Sequence, residues 1–308
     1  MDVLARIWIA GEETFIGQAL RRVLERSGYR TVIPPGGVVL TDESQVRNFF
    51  TEAKPEYIFL VGGKSGGIRA NQKYPADFAL DNLAVTCNVI TAALRFRTRK
   101  LLYLANSCVY PKHCPQPMRP ESLLSGKLEP TNEAYAVAKL AGITLVQACR
   151  EQYGADFIAV IPANPFGPGE DFDREDSHVI PALIRKMHEA KVRHEASLEI
   201  WGTGAPRRDF IFVDDLARGC LFAMQNYSDL APINIGSGTG ISIRELALMV
   251  QEVVGFAGEI RFDSSKPDGM PVKLLDSSTV NAMGWQLKTE LSEAIGVTYR
   301  WFLEQGGS

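Results

Sequence analysis

Along the first half of the chain, short apolar runs alternate with longer segments whose apolar residues recur every three to four positions. Arg6-Ile-Trp-Ile-Ala10 reads as a buried strand, and Gly11-Glu-Glu-Thr-Phe-Ile-Gly17 follows as a turn into an amphipathic helix that runs to about Ser27. A second strand, Thr31–Ile33, ends in Pro34-Pro35-Gly36-Gly37, and Asp42 opens the next helix. Tyr57–Val61 is a third strand, followed by the flexible run Gly62-Gly63-Lys64-Ser65-Gly66-Gly67. A long helix from about Pro75 to Leu94 carries Asn82. Leu101–Ala105 is a fourth strand, and Asn106-Ser107-Cys108-Val109-Tyr110-Pro111 comes directly after it. Phe157–Ile161 adds a further strand, while Ser177–Lys191 and Ser242–Val254 read as helices.

Strands alternating with helices imply an α/β fold: a doubly wound parallel sheet of the Rossmann type, helices on both faces and ligands beyond the carboxyl ends of the strands. The expected division is a dinucleotide-binding domain over 1–163 and a smaller C-terminal substrate-binding lobe over 164–308. Segments near 209–240 are expected to return to the first domain. Thr14, Gly62, Asn106, Ser107 and Cys108 all sit just past a strand end. Gly11, Thr14, Phe15, Ile16 and Gly17 form the turn on which a dinucleotide pyrophosphate would rest, although Glu12 and Glu13 place two carboxylates there. Gly62 and Lys64 allow close backbone approach to the same ligand. Asp42 either caps its helix or faces an adenine. The Pro34–Gly37 turn carries neither an acid for the ribose 2′-hydroxyl of NAD nor an arginine for the extra phosphate of NADP.

Composition narrows the function classes. The 308 residues are 45% apolar and 22% charged, with a formal net charge of -3, so no basic field supports nucleic-acid binding. No stretch reaches the roughly 18 apolar residues of a membrane span. Five scattered cysteines argue against a disulfide framework and for a reducing, cytoplasmic setting. His113 and Cys114 lie close to Cys108, but no spaced fourth ligand accompanies them, so no metal site is expected.

The most informative stretch is Glu129–Gly142. Pro130, Thr131 and Asn132 read as a helix start, which puts Tyr135 and Lys139 four apart on one face. An ammonium beside a phenol stabilises the phenolate, so the pair predicts a tyrosine shifted towards neutrality that exchanges protons with a substrate.

Taken together, Asn106–Pro111, Tyr135-Ala-Val-Ala-Lys139, Pro162-Ala-Asn-Pro-Phe-Gly-Pro168 and Arg207-Arg-Asp-Phe-Ile-Phe-Val-Asp-Asp-Leu-Ala217 resemble the extended short-chain dehydrogenase/reductase family. Tyr74–Phe78, Ser107–Lys112, Leu128–Glu133, Ser177–Leu183, Ser265–Gly269 and Lys273–Asp276 point to its members that act on GDP-linked 4-keto-6-deoxyhexoses. That resemblance implies epimerisation at C3 and C5 followed by NADPH-dependent reduction at C4, with NADH also open as the reductant. It gives Tyr135 the proton at the C4 oxygen, and Lys139 the tuning of Tyr135 and the nicotinamide ribose. Cys108 is then the base at C3 and C5, and His178 the acid on the opposite face and a cofactor contact. Asn164 becomes a sugar or phosphate contact, Lys273 lies near the phosphates, and Lys186, Trp201 and Arg208 suit a nucleotide diphosphate. Asn106 stands where the family has Ser or Thr, with Ser107 one residue along; an amide donates to an oxyanion but cannot relay a proton. The resemblance also implies a homodimer through the Asn82 and Tyr135 helices. Two alternatives stand beside this reading: an enzyme that only epimerises or only reduces a related GDP-sugar, and a silent homologue that binds a sugar nucleotide.

Overall fold

The structure, a computed structural model, describes residues 1–172, 177–266 and 268–307. The apolar run Ile7–Ala10 forms strand β1, buried along its whole length, and α1 (Phe15–Arg26) follows. The expected second strand is reduced to one parallel bridge between Val32 and Ile7. Pro34 and Pro35 have no N–H to donate, so a ladder cannot continue past that point. Next come α2 (Glu43–Ala53), β2 (Tyr57–Leu60), α3 (Ile68–Lys73), α4 (Pro75–Arg95) and β3 (Lys100–Leu104). After them lie α5 (Glu133–Tyr153) and β4 (Phe157–Pro162).

Beyond β4 the chain continues through β5 (Asn164–Phe166), α6 (Val179–Val192), β6 (Ser197–Trp201), β7 (Arg207–Arg208) and β8 (Phe210–Phe212). It then returns through α7 (Val213–Asn226) and β9 (Ile233–Ile235). The last elements are β10 (Ile241–Ser242), α8 (Ile243–Val254), β11 (Glu259–Asp263), β12 (Val272–Lys273), α9 (Ser278–Ala282) and α10 (Leu291–Glu304).

Five parallel strands form the central sheet in the order β1-β2-β3-β4-β9. α1 packs on α7 as one layer, while α5 packs on α4 and α4 on α2 as the other. β9 thus belongs to this sheet, whereas β8 pairs with β5 outside it. Three small sheets lie outside the central one: β5 with β8, β6 with β11, and β7 between β10 and β12. Because the chain leaves β1 towards Val32 and comes back to β2 on the opposite edge, the connections diverge at β1/β2. A crevice opens beyond Ala10 and Leu60, where a doubly wound sheet binds its ligand.

The turn into α1 depends on close backbone approach. Gly11 has φ +101, and a Cβ there would strike the Gly62 backbone; a Cβ on Gly17 would run into the Gly11 carbonyl. Thr14 caps the helix, its hydroxyl accepting from the Gly17 N–H at 3.0 Å and donating to the Gly11 carbonyl at 2.7 Å. The two acidic residues do not crowd a ligand. Glu13 is exposed, and Glu12 turns back onto the helix, where its carboxylate takes Arg21 Nε and, at 2.6 Å, Nη2. Arg21 Nη2 also donates to the Ile33 carbonyl at 2.9 Å, tying α1 to the segment after Val32. Arg21→Ala should therefore lower stability by ~2 kcal/mol in urea unfolding, because it strands a buried carboxylate. The double variant Glu12→Gln/Arg21→Ala should recover most of that loss; no recovery would mean that the Ile33 contact carries the effect.

Candidate active site

A cleft of about 580 Å³ lies over the carboxyl ends of the sheet. One side is formed by Thr14, Phe15 and Ile16 at the N-terminus of α1, Gly63 after β2, Asn106 after β3, and Tyr135 and Lys139 from α5. The other side brings Asn164 from β5, His178 at the start of α6 and Arg208 from β7. The glycine turn and the helix N-terminus, with its unpaired N–H groups and positive dipole end, fit a dinucleotide pyrophosphate.

Pro130–Asn132 form a single 3₁₀ turn rather than the first turn of the α-helix, and α5 begins at Glu133. Asn132 occupies the cap position without a capping hydrogen bond. Tyr135 and Lys139 lie one turn apart and both are buried. The Lys139 ammonium sits 5.9 Å from the Tyr135 ring centre, 5.4 Å from the Tyr103 ring centre and 3.5 Å from the Leu104 carbonyl. Burial takes Lys139 down to about 8, although Cys108 and Asp81 pull it up. The predicted depression of Tyr135 is not what the structure gives. Burial among Phe78, Cys108 and Leu128, reinforced by Cys108 and Tyr103, raises its hydroxyl well above the ordinary range, and only the Asn106 side chain acts in the opposite sense. The Tyr135 hydroxyl accordingly keeps its proton at neutral pH.

Ser107–Val109 form one 3₁₀ turn, and Asn106 caps it: its Oδ1 accepts from the Cys108 N–H at 2.9 Å. With the amide oxygen so engaged, the Asn106 NH₂ is the end that donates, and it is the Tyr135 hydroxyl that feels it. Ser107 is buried behind it. Cys108 is also buried, and burial pushes its thiol up to about 11 against the downward pull of Lys273 and Lys139.

His178 Nδ1 lies 2.8 Å from Oε1 of Glu170, a residue that no motif in the sequence marks. That carboxylate raises His178, and burial raises Glu170 in turn. Asn164 is fixed by two contacts to the Asp209 carbonyl, from its N–H at 3.1 Å and its Nδ2 at 2.6 Å. Arg208 Nη1 donates to the Met270 carbonyl at 2.6 Å, and Lys273, half-buried on β12, pairs with it across the β7 ladder. Trp201 stands exposed at the rim with the Arg69 guanidinium 5.7 Å and the Lys266 ammonium 5.6 Å from its ring; Arg69, which lines the cleft, was not anticipated.

Asp42, Lys64 and Lys186 are engaged or placed elsewhere. Asp42 caps α2, with one carboxylate oxygen on the Ser44 and Gln45 N–H groups and the other on Gln45 Nε2, so its side chain is committed to the helix. Lys64 reaches Asp77 at 3.5 Å and lies over the Tyr74 and Phe78 rings, outside the cleft wall. Lys186 is exposed on α6 and is likewise absent from the wall. Pro267, within the Ser265–Gly269 motif, lies outside the described residues. Among the described residues no cluster of three potential ligands could hold a metal, and no helix is long and apolar enough to cross a membrane.

With this geometry in place, similarity to known proteins becomes specific. The chain is 49% identical over 306 residues to a probable GDP-L-fucose synthase of Oryza sativa subsp. japonica, covering 98% of this chain and 93% of that one. It is 42% identical over 310 residues to the GDP-L-fucose synthase of Escherichia coli K12, covering 97% of each. The structure superposes with a TM-score of 0.89 on a GDP-mannoheptose C4 reductase from Campylobacter jejuni with NADP bound, at 35% identity and over 98% and 99% of the two chains. Residues 7–236 match the NAD dependent epimerase/dehydratase family, and the chain belongs to that family.

Proposed function

We propose that this protein is a nucleotide-sugar epimerase/reductase that converts a GDP-linked 4-keto-6-deoxyhexose into a GDP-6-deoxy-L-sugar such as GDP-L-fucose. The observation that carries the reading is the convergence of Tyr135, Lys139, Asn106 and His178 on one cleft at the sheet's carboxyl edge. In this reading the first lobe holds the dinucleotide and the second the sugar nucleotide. NADPH bound at the Gly11–Gly17 turn supplies the hydride for C4; NADP in the C. jejuni reductase favours it over NADH for this chain.

Protons on C3 and C5 are acidic because the neighbouring ketone can carry the negative charge as an enolate. Cys108 is the base in this scheme; burial holds its thiol up at about 11, and Lys273 and Lys139 pull against that towards the thiolate. The Asn106 amide and the Tyr135 hydroxyl donate to the developing oxyanion, and His178 returns a proton to carbon from the opposite face. In the reduction Tyr135, neutral at physiological pH, delivers its proton to the C4 oxygen as hydride arrives. The Lys139 charge stabilises the phenolate left behind. Arg208, Lys273 and Asn164 bind the sugar nucleotide, with Trp201 at the rim as a stacking face for the base. A cytoplasmic homodimer through α4 and α5 belongs to the same reading, and the exposed Leu80 and Val137 on those helices give it apolar surface.

A second reading, reduction without epimerisation, is favoured by the burial of Cys108 behind the cleft wall and by the likeness to a C4 reductase. The two separate cleanly in deuterium oxide. Epimerase activity requires solvent deuterium at C3 and C5 of the product, lost in Cys108→Ser while C4 reduction persists. Product free of deuterium at both carbons would leave a reductase. Tyr135→Phe should slow C4 reduction by ~10²–10⁴-fold, the range for losing a general acid, and an unchanged rate would remove that assignment.

Lys139 also gives the reduction a pH signature. Its charge is present at neutral pH and disappears as pH rises through about 8. Reduction should decline over the same interval. Lys139→Arg, which stays charged, should move that alkaline limb upward even if the maximal rate is lower; a limb that does not move would assign it to another group.

A further inference from the structure

We propose that Glu170 is the positioning residue for His178, holding the imidazole with Nδ1–H on its carboxylate so that Nε2 carries the proton delivered to the substrate carbon. The inference rests on the proposed role of His178 and adds a residue to it. Glu170 has a side chain only 3% exposed, while that of His178 is 51% exposed, so a buried anion holds a ring that itself meets solvent. At 2.8 Å the contact is a charge-assisted hydrogen bond, and since a carboxylate only accepts, Nδ1 must be the donor. The other oxygen, Oε2, is buried without a hydrogen-bond partner among the described residues. A carboxylate desolvated in this way depends on the imidazolium for its compensation.

The backbone carrying Glu170 is tied down independently of the histidine. Its N–H donates to the Gly167 carbonyl at 3.3 Å. Two residues on, Phe172 stacks on Phe302 with centroids 4.8 Å apart, and its carbonyl accepts from Arg185 Nη1 at 2.8 Å. The carboxylate is therefore a fixed point, and the imidazole is oriented by it. Three charges bear on His178: Glu170 and Asp171 raise it and Lys273 on β12 lowers it, with Glu170 dominant. The balance favours the protonated ring, the state an acid needs. In the step itself the Nε2–H bond breaks as a C–H bond forms at C3 or C5 and the enolate returns to the ketone. The imidazole is left neutral with Nδ1–H still on Glu170, and the half-exposed ring regains a proton from water.

The test uses the full chain saturated with NADP⁺ and three variants, Glu170→Gln, Glu170→Asp and His178→Asn. Deuterium uptake at C3 and C5 reports proton transfer. Oxidation of GDP-L-fucose at C4 reports an intact cleft. The imidazole NMR titration, tractable with four histidines and assigned by His178→Asn, reports the ring directly. In Glu170→Gln the His178 midpoint should fall by about one unit, and uptake at pH 8 should drop by about tenfold with recovery at lower pH. C4 oxidation should be retained, and Glu170→Asp should keep most of the uptake. If His178→Asn itself retains uptake, the role given to the histidine is wrong. If His178→Asn loses uptake but Glu170→Gln leaves the midpoint and pH profile unmoved, Glu170 is not the positioning residue, whatever the rate.

Discussion

Dehydration of the charged and ionisable groups around Tyr135 is the constraint on which this structure turns. Lys139 spends its life almost out of water, against two aromatic rings and a carbonyl, and is held near its own neutral form as a result. The same dryness keeps Tyr135 and Cys108 protonated. A dry site magnifies every charge placed in it, so small numbers of groups govern a large part of the chemistry. It also acts unevenly: Lys273 and Lys139 pull the cysteine back towards its thiolate, whereas only the Asn106 side chain opposes the shift of the tyrosine.

Much of the architecture could be read from apolar periodicity, because a parallel sheet buried on both faces writes its strands as short continuous runs. β1, β2, β3 and β4 are such runs. Thr31–Ile33 looks the same locally and fails as a strand because the prolines after it remove the donors a ladder needs. The Tyr135/Lys139 pair was legible because helical spacing alone brings the two onto one face. The direction of the tyrosine's shift was not legible, since it depends on Phe78 and Leu128 from other parts of the chain. Glu170 escaped for a similar reason: nothing in its own neighbourhood distinguishes it from a surface acid, and its pairing with His178 exists only in three dimensions. Arg69 was hidden likewise.

The acidic glycine turn shows how a motif can look wrong and work. Counted by pattern, Glu12 and Thr14 weaken the dinucleotide fingerprint. Physically, Thr14 supplies the helix cap and Arg21 neutralises Glu12 from the next turn but one. What matters for an anion at a helix terminus is the field where it sits, and here a residue outside the motif corrects that field.

The step from β4, in the central sheet, to β5, outside it, is one residue long. β4 ends at Pro162, β5 starts at Asn164, and Ala163 between them donates to Ile235 of the central sheet at 2.9 Å while Asn164 is twice bonded to the Asp209 carbonyl. A hinge needs a few residues free to change φ and ψ, and none is available at this crossing. This crossing is consequently a stiff one. Asn164 therefore faces the cleft from a fixed place beside the central sheet, and whatever turns within the cleft turns past it.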